Sequence, residues 1–200
     1  MNDAPQSFAH TRHLMASDTR RLFAVNGGGS LPQRIFWLLM PTYQALFWYR
    51  LSRYCFLRGW RNTARMLFLF NLYRTRIEIP PTTDIGEGCM IAHASGVILY
   101  GSIGARATIF GDAKIGGGID PSIDIGGGAG FPVLGDDVVL GYRASVLGPF
   151  HVGDGARLGP FALALFDVPA GAKLQARKSV IMLPPPPDSA SADGAEKAPA

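Results

Sequence analysis

Four histidines occur in the 200-residue chain, and only His93 and His151 lie beyond its polar first 29 residues. His93 sits in Ile91-Ala92-His93-Ala94-Ser95-Gly96, and Glu78 precedes it by 15 residues. A neutral imidazole can take a proton from a hydroxyl near pH 7, a contribution of about 10²- to 10⁴-fold. A carboxylate bonded to such a ring would orient it for that task. The same residue types also decorate inert surfaces, so the pair gains meaning only from the elements that carry it. Metal chemistry has less support. A catalytic zinc normally needs three protein ligands, the two histidines are 58 residues apart, and no metal site is expected. Cys55 and Cys89 have neither a disulfide framework nor a metal-ligand spacing. The runs Gly116–Gly118 and Gly126–Gly128 do not match phosphate-loop or dinucleotide patterns, so they imply no nucleotide fold.

The element that carries His93 is set by a repeat. An aliphatic residue returns every six positions at Ile79, Ile85, Ile91, Val97, Ile103, Ile109 and Ile115, then at Leu134, Leu140, Val146, Val152 and Leu158, with Ala164 a weaker member. Glycine follows many of them, and 19 of the 25 glycines fall between Gly86 and Gly159. Six residues fit neither a helix nor plain alternation. They do fit a short strand and a turn, three of which close an 18-residue triangular coil, with glycine serving the turns. The expectation is a mainly β chain: a parallel β-helix of about five hexapeptide coils over 77–183. On that reading Glu78 lies almost one coil below His93. The glycine-rich stretch 116–133 interrupts the repeat and shifts its register by one residue, which makes it a binding-loop candidate.

Before the repeat the chain changes character. Residues 1–78 hold 11 arginines against three acids, whereas the remainder is net negative, within an overall charge of +4. Twelve of the 21 aromatic residues lie between Phe36 and Tyr73. An uncharged run from Ile35 to Tyr49 contains Pro41 and falls short of the roughly 20 apolar residues of a membrane span. Residues 31–76 therefore read as amphipathic α-helices that either lie on an anionic membrane face or pack on neighbouring subunits and the rest of the fold. So many aromatics in apolar runs argue against nucleic acid as the partner. Residues 1–30 read as a mobile leader without signal-peptide character, and 184–200 as a disordered Pro/Ala-rich tail.

The segments Ile77-Glu78-Ile79-Pro80-Pro81, Asp84-Ile85-Gly86-Glu87-Gly88 and Ile91-Ala92-His93-Ala94-Ser95-Gly96 resemble the serine acetyltransferase family. So do Leu134-Gly135-Asp136-Asp137-Val138 through Val168-Pro169-Ala170-Gly171, and the likeness covers about residues 45–183. The resemblance implies a left-handed β-helix, a homotrimer, acetyl-CoA as donor and no metal. It places His93 on the catalytic histidine and Glu78 on its aspartate partner. Gly117 falls in the loop that helps to hold CoA, Tyr142 and Pro160 in the coils along the thioester arm, and Arg157 where a lysine often stands near CoA.

Three departures bear on the acceptor. Ala92 stands for an aspartate beside the catalytic histidine, and Gly130-Phe131-Pro132 for Arg-His-Pro, which removes the arginine expected at serine's carboxylate. The loop is also about five residues longer than usual. Phe131 offers an apolar face on which a sugar ring can stack. The expectation is thus an O-acetyltransferase with His93 as general base, acting on a saccharide hydroxyl in polysaccharide biosynthesis, cytoplasmic and at the inner face of the membrane. The alternatives are serine O-acetyltransfer in cysteine biosynthesis and a non-catalytic membrane-associated scaffold.

Overall fold

The computed structural model describes residues 7–118 and 121–177. The tail from residue 184 and the first six residues of the expected leader lie outside the described residues. Four helices come first: α1 (Phe8–Val25), α2 (Leu31–Leu39), α3 (Pro41–Leu57) and α4 (Arg61–Thr75). Pro41 separates α2 from α3 and starts the latter, where its missing N–H costs nothing. Among the described residues no helix is long and apolar enough to cross a membrane.

Helix α1 corrects the mobile leader. Thr11, Leu14, Asp18 and Leu22 recur at helical spacing and form its buried face. Two of these are polar, so hydropathy did not reveal the face. Asp18 is buried because Arg50 of α3 meets it, Nε to Oδ2 at 3.0 Å and Nη2 to Oδ1 at 3.2 Å, while the Cys89 N–H donates to Oδ1 at 3.0 Å.

The helices close the open end of the solenoid. The first coil of a β-helix leaves backbone groups with no coil beneath them, an exposed edge. Arg50 donates to the carbonyls of Ile85 and Gly86, Arg53 to that of Pro81, and the Tyr49 hydroxyl to that of Thr83. Arg53 also pairs with Asp84 at 2.8 Å. Arg50 and Arg53 are buried, so neither reaches lipid. For these two arginines the packing alternative holds, since both are spent on the rest of the fold.

Among the described residues thirteen short parallel strands follow on three faces. The first face holds β1 (Asp84–Ile85), β4 (Ser102–Ile103), β7 (Val133–Leu134) and β10 (His151–Val152). The second holds β2 (Met90–Ile91), β5 (Thr108–Ile109), β8 (Val139–Leu140), β11 (Arg157–Leu158) and β13 (Lys173–Leu174). The third holds β3 (Ile98–Leu99), β6 (Lys114–Gly116), β9 (Ser145–Leu147) and β12 (Leu163–Ala164). Regular neighbours are 18 residues apart, as in Asp84↔Ser102 and Met90↔Thr108. One aliphatic side chain per strand points into the buried axis.

The repeat is corrected at one point. Leu99, not Val97, takes the third-face position, paired with Ile115. Val97 instead fills the corner two residues earlier, as Ala113, Ala144 and Ala162 do in later coils, and all four are buried. The glycine role also changes. Gly86, Gly104 and Gly135 follow first-face aliphatics with ordinary φ, and what they supply is space: a Cβ on Gly86 would lie 2.6 Å from the Ala105 nitrogen one coil above. Left-handed turn positions lie three residues after the inward aliphatic, and glycine shares them with other residues, as at Gly88, Arg106, Asp137 and Gly155.

Candidate functional site

His93 lies in the corner between the second and third faces. Eight positions separate Ile91 from Leu99, where Ile109 to Ile115 and Leu140 to Val146 each take six. The two extra residues push an exposed loop outward with His93 on it. Only four positions then lead from Leu99 to Ile103, which restores the register. The His93 ring faces Phe110 of the next coil at 6.1 Å. Gly111 keeps the corner open, since a Cβ there would lie 2.7 Å from Ser95 Oγ and 3.1 Å from His93 Cβ. Ala92, half-buried, is held in the ladder by its N–H to the Ile109 carbonyl at 2.8 Å. Tyr142 stands one coil above Gly111 and packs edge-on against Phe161, with the Arg143 guanidinium over both rings.

Phe110 opens a cavity of about 380 Å³ along the second face, lined further by Val139, Leu158, Pro160, Leu174, Gln175 and the cations Arg157 and Lys173. Apolar walls ending in two cations suit a long thin arm that ends in phosphates. A second cavity, of about 480 Å³, lies on the third face between Lys114, Arg143, Ser145 and Phe161.

The remaining candidates gather on the other side of the third face. Glu78 pairs in parallel with Ile98 and stands at the base of that face. Its carboxylate accepts the Tyr100 hydroxyl at 2.6 Å, and among the described residues no hydrogen bond joins it to His93. Burial, with Glu78 alongside, pushes the Tyr100 phenol up to about 12. The Tyr100 ring stacks on Phe131 at 5.3 Å and 12°, and a Cβ on Gly117 would lie 3.3 Å from the Phe131 ring. Gly130 is buried with φ +79°, a left-handed conformation that favours glycine. Its N–H donates to the Ile123 carbonyl at 2.7 Å. The 116–133 loop is a 13-residue insertion, since Ser102 pairs with Val133 across 31 positions where regular coils take 18. It is pinned internally by Asp124, whose Oδ1 accepts the N–H groups of Gly126 and Gly128.

The sequence-derived residues thus form two clusters. His93, Ala92, Tyr142, Pro160 and Arg157 share one corner and its adjoining face, whereas Glu78, Gly117, Gly130 and Phe131 share the other. Tyr100 and Phe110 were missed. Both directly follow inward aliphatics, at positions where Gly86, Gly104, Gly116, Gly135, Gly141, Gly153 and Gly159 stand elsewhere, and that break was a readable signal. Among the described residues no group of three or more His, Cys, Asp and Glu side chains is placed to hold a metal ion.

No protein-family model matches the chain. It is 38% identical over 136 residues to the serine acetyltransferase of Helicobacter pylori strain J99, covering 67% of this chain and 77% of the relative. It is 33% identical over 134 residues to the Mycobacterium tuberculosis serine acetyltransferase, covering 66% of this chain and 56% of the relative. In fold it matches the Neisseria gonorrhoeae serine acetyltransferase in complex with serine, with a TM-score of 0.71 and 23% identity over 82% of this chain and 66% of that one. The soybean enzyme complexed with serine gives a TM-score of 0.72 and 24% identity over 84% and 66% of the two chains.

The fold is the left-handed β-helix of these structures, and the 38% identity makes the chain a hexapeptide-repeat acyltransferase of the serine acetyltransferase-like class. Within that class, the chain belongs to the serine acetyltransferase family. It spans little more than half the length of the M. tuberculosis relative.

The family overturns the saccharide acceptor and the role in polysaccharide biosynthesis expected above, since these relatives are serine acetyltransferases. The structure also narrows a physical support of that expectation. A face of Phe131, offered for a sugar ring, is covered by Tyr100.

Proposed function

We propose that this protein is an acetyl-CoA-dependent serine O-acetyltransferase that makes O-acetylserine for cysteine biosynthesis. The observation that carries the reading is 38% identity to a serine acetyltransferase over an alignment that includes the His93 corner. His93 takes the proton from the serine hydroxyl as its oxygen attacks the thioester carbonyl. The C–S bond then breaks, and the proton passes from the imidazolium to the leaving thiolate. Positioning both substrates in one groove makes an acyl-enzyme unnecessary. The donor's arm lies along the 380 Å³ cavity beside Pro160 and Tyr142, with its phosphates toward Arg157 and Lys173. Glu78 orients His93, Gly117 belongs to the loop that helps to hold CoA, and Gly130 shapes that loop on the acceptor side. Ala92 and Gly130 carry no charge, so serine binds weakly, with a high KM.

The test is serine-dependent release of free thiol from acetyl-CoA. Release by the wild-type protein that is lost in His93→Ala supports the reading. Absence of release at any serine concentration sinks it.

Further proposals concern assembly and place. The chain forms a homotrimer in the cytoplasm, which brings the two clusters together across subunits. The helical layer rests on an anionic membrane face. In its support, α2 exposes Leu31, Ile35, Phe36 and Leu39, α4 exposes Met66, Phe70 and Tyr73, and Arg34, Arg61, Arg65 and Arg74 lie exposed on the same two helices. Co-sedimentation with phosphatidylglycerol vesicles but not phosphatidylcholine vesicles, lost on joint Phe36→Glu and Leu39→Glu substitution, is the expected result.

A further inference from the structure

We propose that Tyr100 is a positioning residue that fixes the Glu78 carboxylate and ties it to the 116–133 loop. The inference rests on the serine acetyltransfer reading and goes beyond it, because it assigns a role to a residue outside the expected site.

Glu78 is held well at its backbone. Its N–H donates to the Val97 carbonyl and its carbonyl accepts from the Leu99 N–H, both at 2.9 Å, so the strand leaving the His93 corner grips it on either side. Its side chain has three torsions and is only half-buried, so backbone anchoring alone leaves the carboxylate free to change rotamer. Tyr100 removes that freedom. Its hydroxyl donates to Oε1 at 2.6 Å, and among the described residues no hydrogen bond engages Oε2. The phenol is itself braced, since the Tyr100 N–H donates to the Ile115 carbonyl at 3.0 Å and its ring stacks on Phe131. The other end of the brace is the loop, because Gly117 leaves room for the Phe131 ring. A phenol with so high a pKa stays a donor throughout the range in which enzymes of this kind work. The register supplies a further sign: Tyr100 stands where the next coil has Gly116, and both ends of its side chain are used.

Two separable effects follow. Tyr100→Phe keeps the stack and cuts the bond to Glu78, so kcat falls about 3- to 30-fold while KM for serine holds within about twofold. Phe131→Leu keeps the bond and loosens the loop, so KM for serine rises and kcat changes little. If Tyr100 acts through Glu78, Tyr100→Phe added to Glu78→Ala lowers kcat no further. Steady-state kinetics on these four variants and the wild type decide the matter. A wild type active with serine whose kcat is unaffected by Tyr100→Phe, or an equal drop on the Glu78→Ala background, overturns the role of Tyr100 alone. A wild type that does not turn over serine overturns the functional reading, and the catalytic role of Tyr100 with it.

Discussion

Two corners of the same solenoid obey opposite rules. Between the first and second faces the coils repeat without change, with a glycine after each inward aliphatic at Gly86, Gly104, Gly135 and Gly153 so that successive backbones can touch. Between the second and third faces the equivalent positions carry Ala92, Phe110, Gly141 and Gly159, and the His93 turn takes two extra residues that the next passage gives back. Repetition is kept where coils need only stack, and it breaks where side chains must project. The irregular corner is the one that can do chemistry.

The sharpest test of that contrast is His93→Ala. Its side chain is exposed and faces the Phe110 ring at the corner rather than the buried axis, and kcat should fall about 10²- to 10⁴-fold. The melting temperature should stay unchanged, as for other surface substitutions. Arg50→Ala should do the reverse. It leaves Asp18 buried and unpaired beneath the first coil, and breaking such a pair costs about 3–5 kcal/mol in chemical denaturation. Next in size is a paired comparison of glycines. A Cβ on Gly135 would lie 2.8 Å from the Asp154 backbone nitrogen, so Gly135→Ala should cost about 1–3 kcal/mol of stability. A Cβ on Gly111 meets the Ser95 hydroxyl, which can turn away, and crowds His93 Cβ at 3.1 Å on an exposed loop, so Gly111→Ala should lower kcat with a smaller loss of stability. Equal stability losses at the two glycines would erase the distinction between the corners.

The smallest effect is spectroscopic. Tyr100 should ionise at about 12, pushed there by burial and by Glu78. Glu78→Gln removes the carboxylate and leaves the burial, so the phenol should ionise at lower pH. Absorbance at alkaline pH shows this as one tyrosine whose titration moves down, a change absent when Tyr100→Phe is also present.

Much of the solenoid was legible beforehand because its signal is local. Each hexapeptide carries its own inward aliphatic and turn, so Ile103, Ile109, Leu134 and Leu140 announced their positions without knowledge of their neighbours. The outward place of His93 at a corner was legible for a related reason, because it lies two residues past the inward Ile91. Val97 was misplaced because a hydrophobic residue two positions before Leu99 kept the six-residue count while the backbone did not. Helix α1 was invisible as a packed element because Thr11 and Asp18 replace the apolar residues that mark a buried face.

By itself, the sequence determined the coil, its three faces and the residue types at the corner. Only the tertiary structure decided where the charges went. Arg50 finds Asp18 from 32 residues away and Cys89 bonds the same carboxylate from 71, and burying such a group is tolerable only when all of its partners arrive together. The bond from Tyr100 to Glu78 spans 22 residues and exists because a shortened passage after Leu99 sets the ring beside the loop. Periodicity belongs to each hexapeptide, whereas a hydrogen bond between coils depends on where both of its ends come to rest.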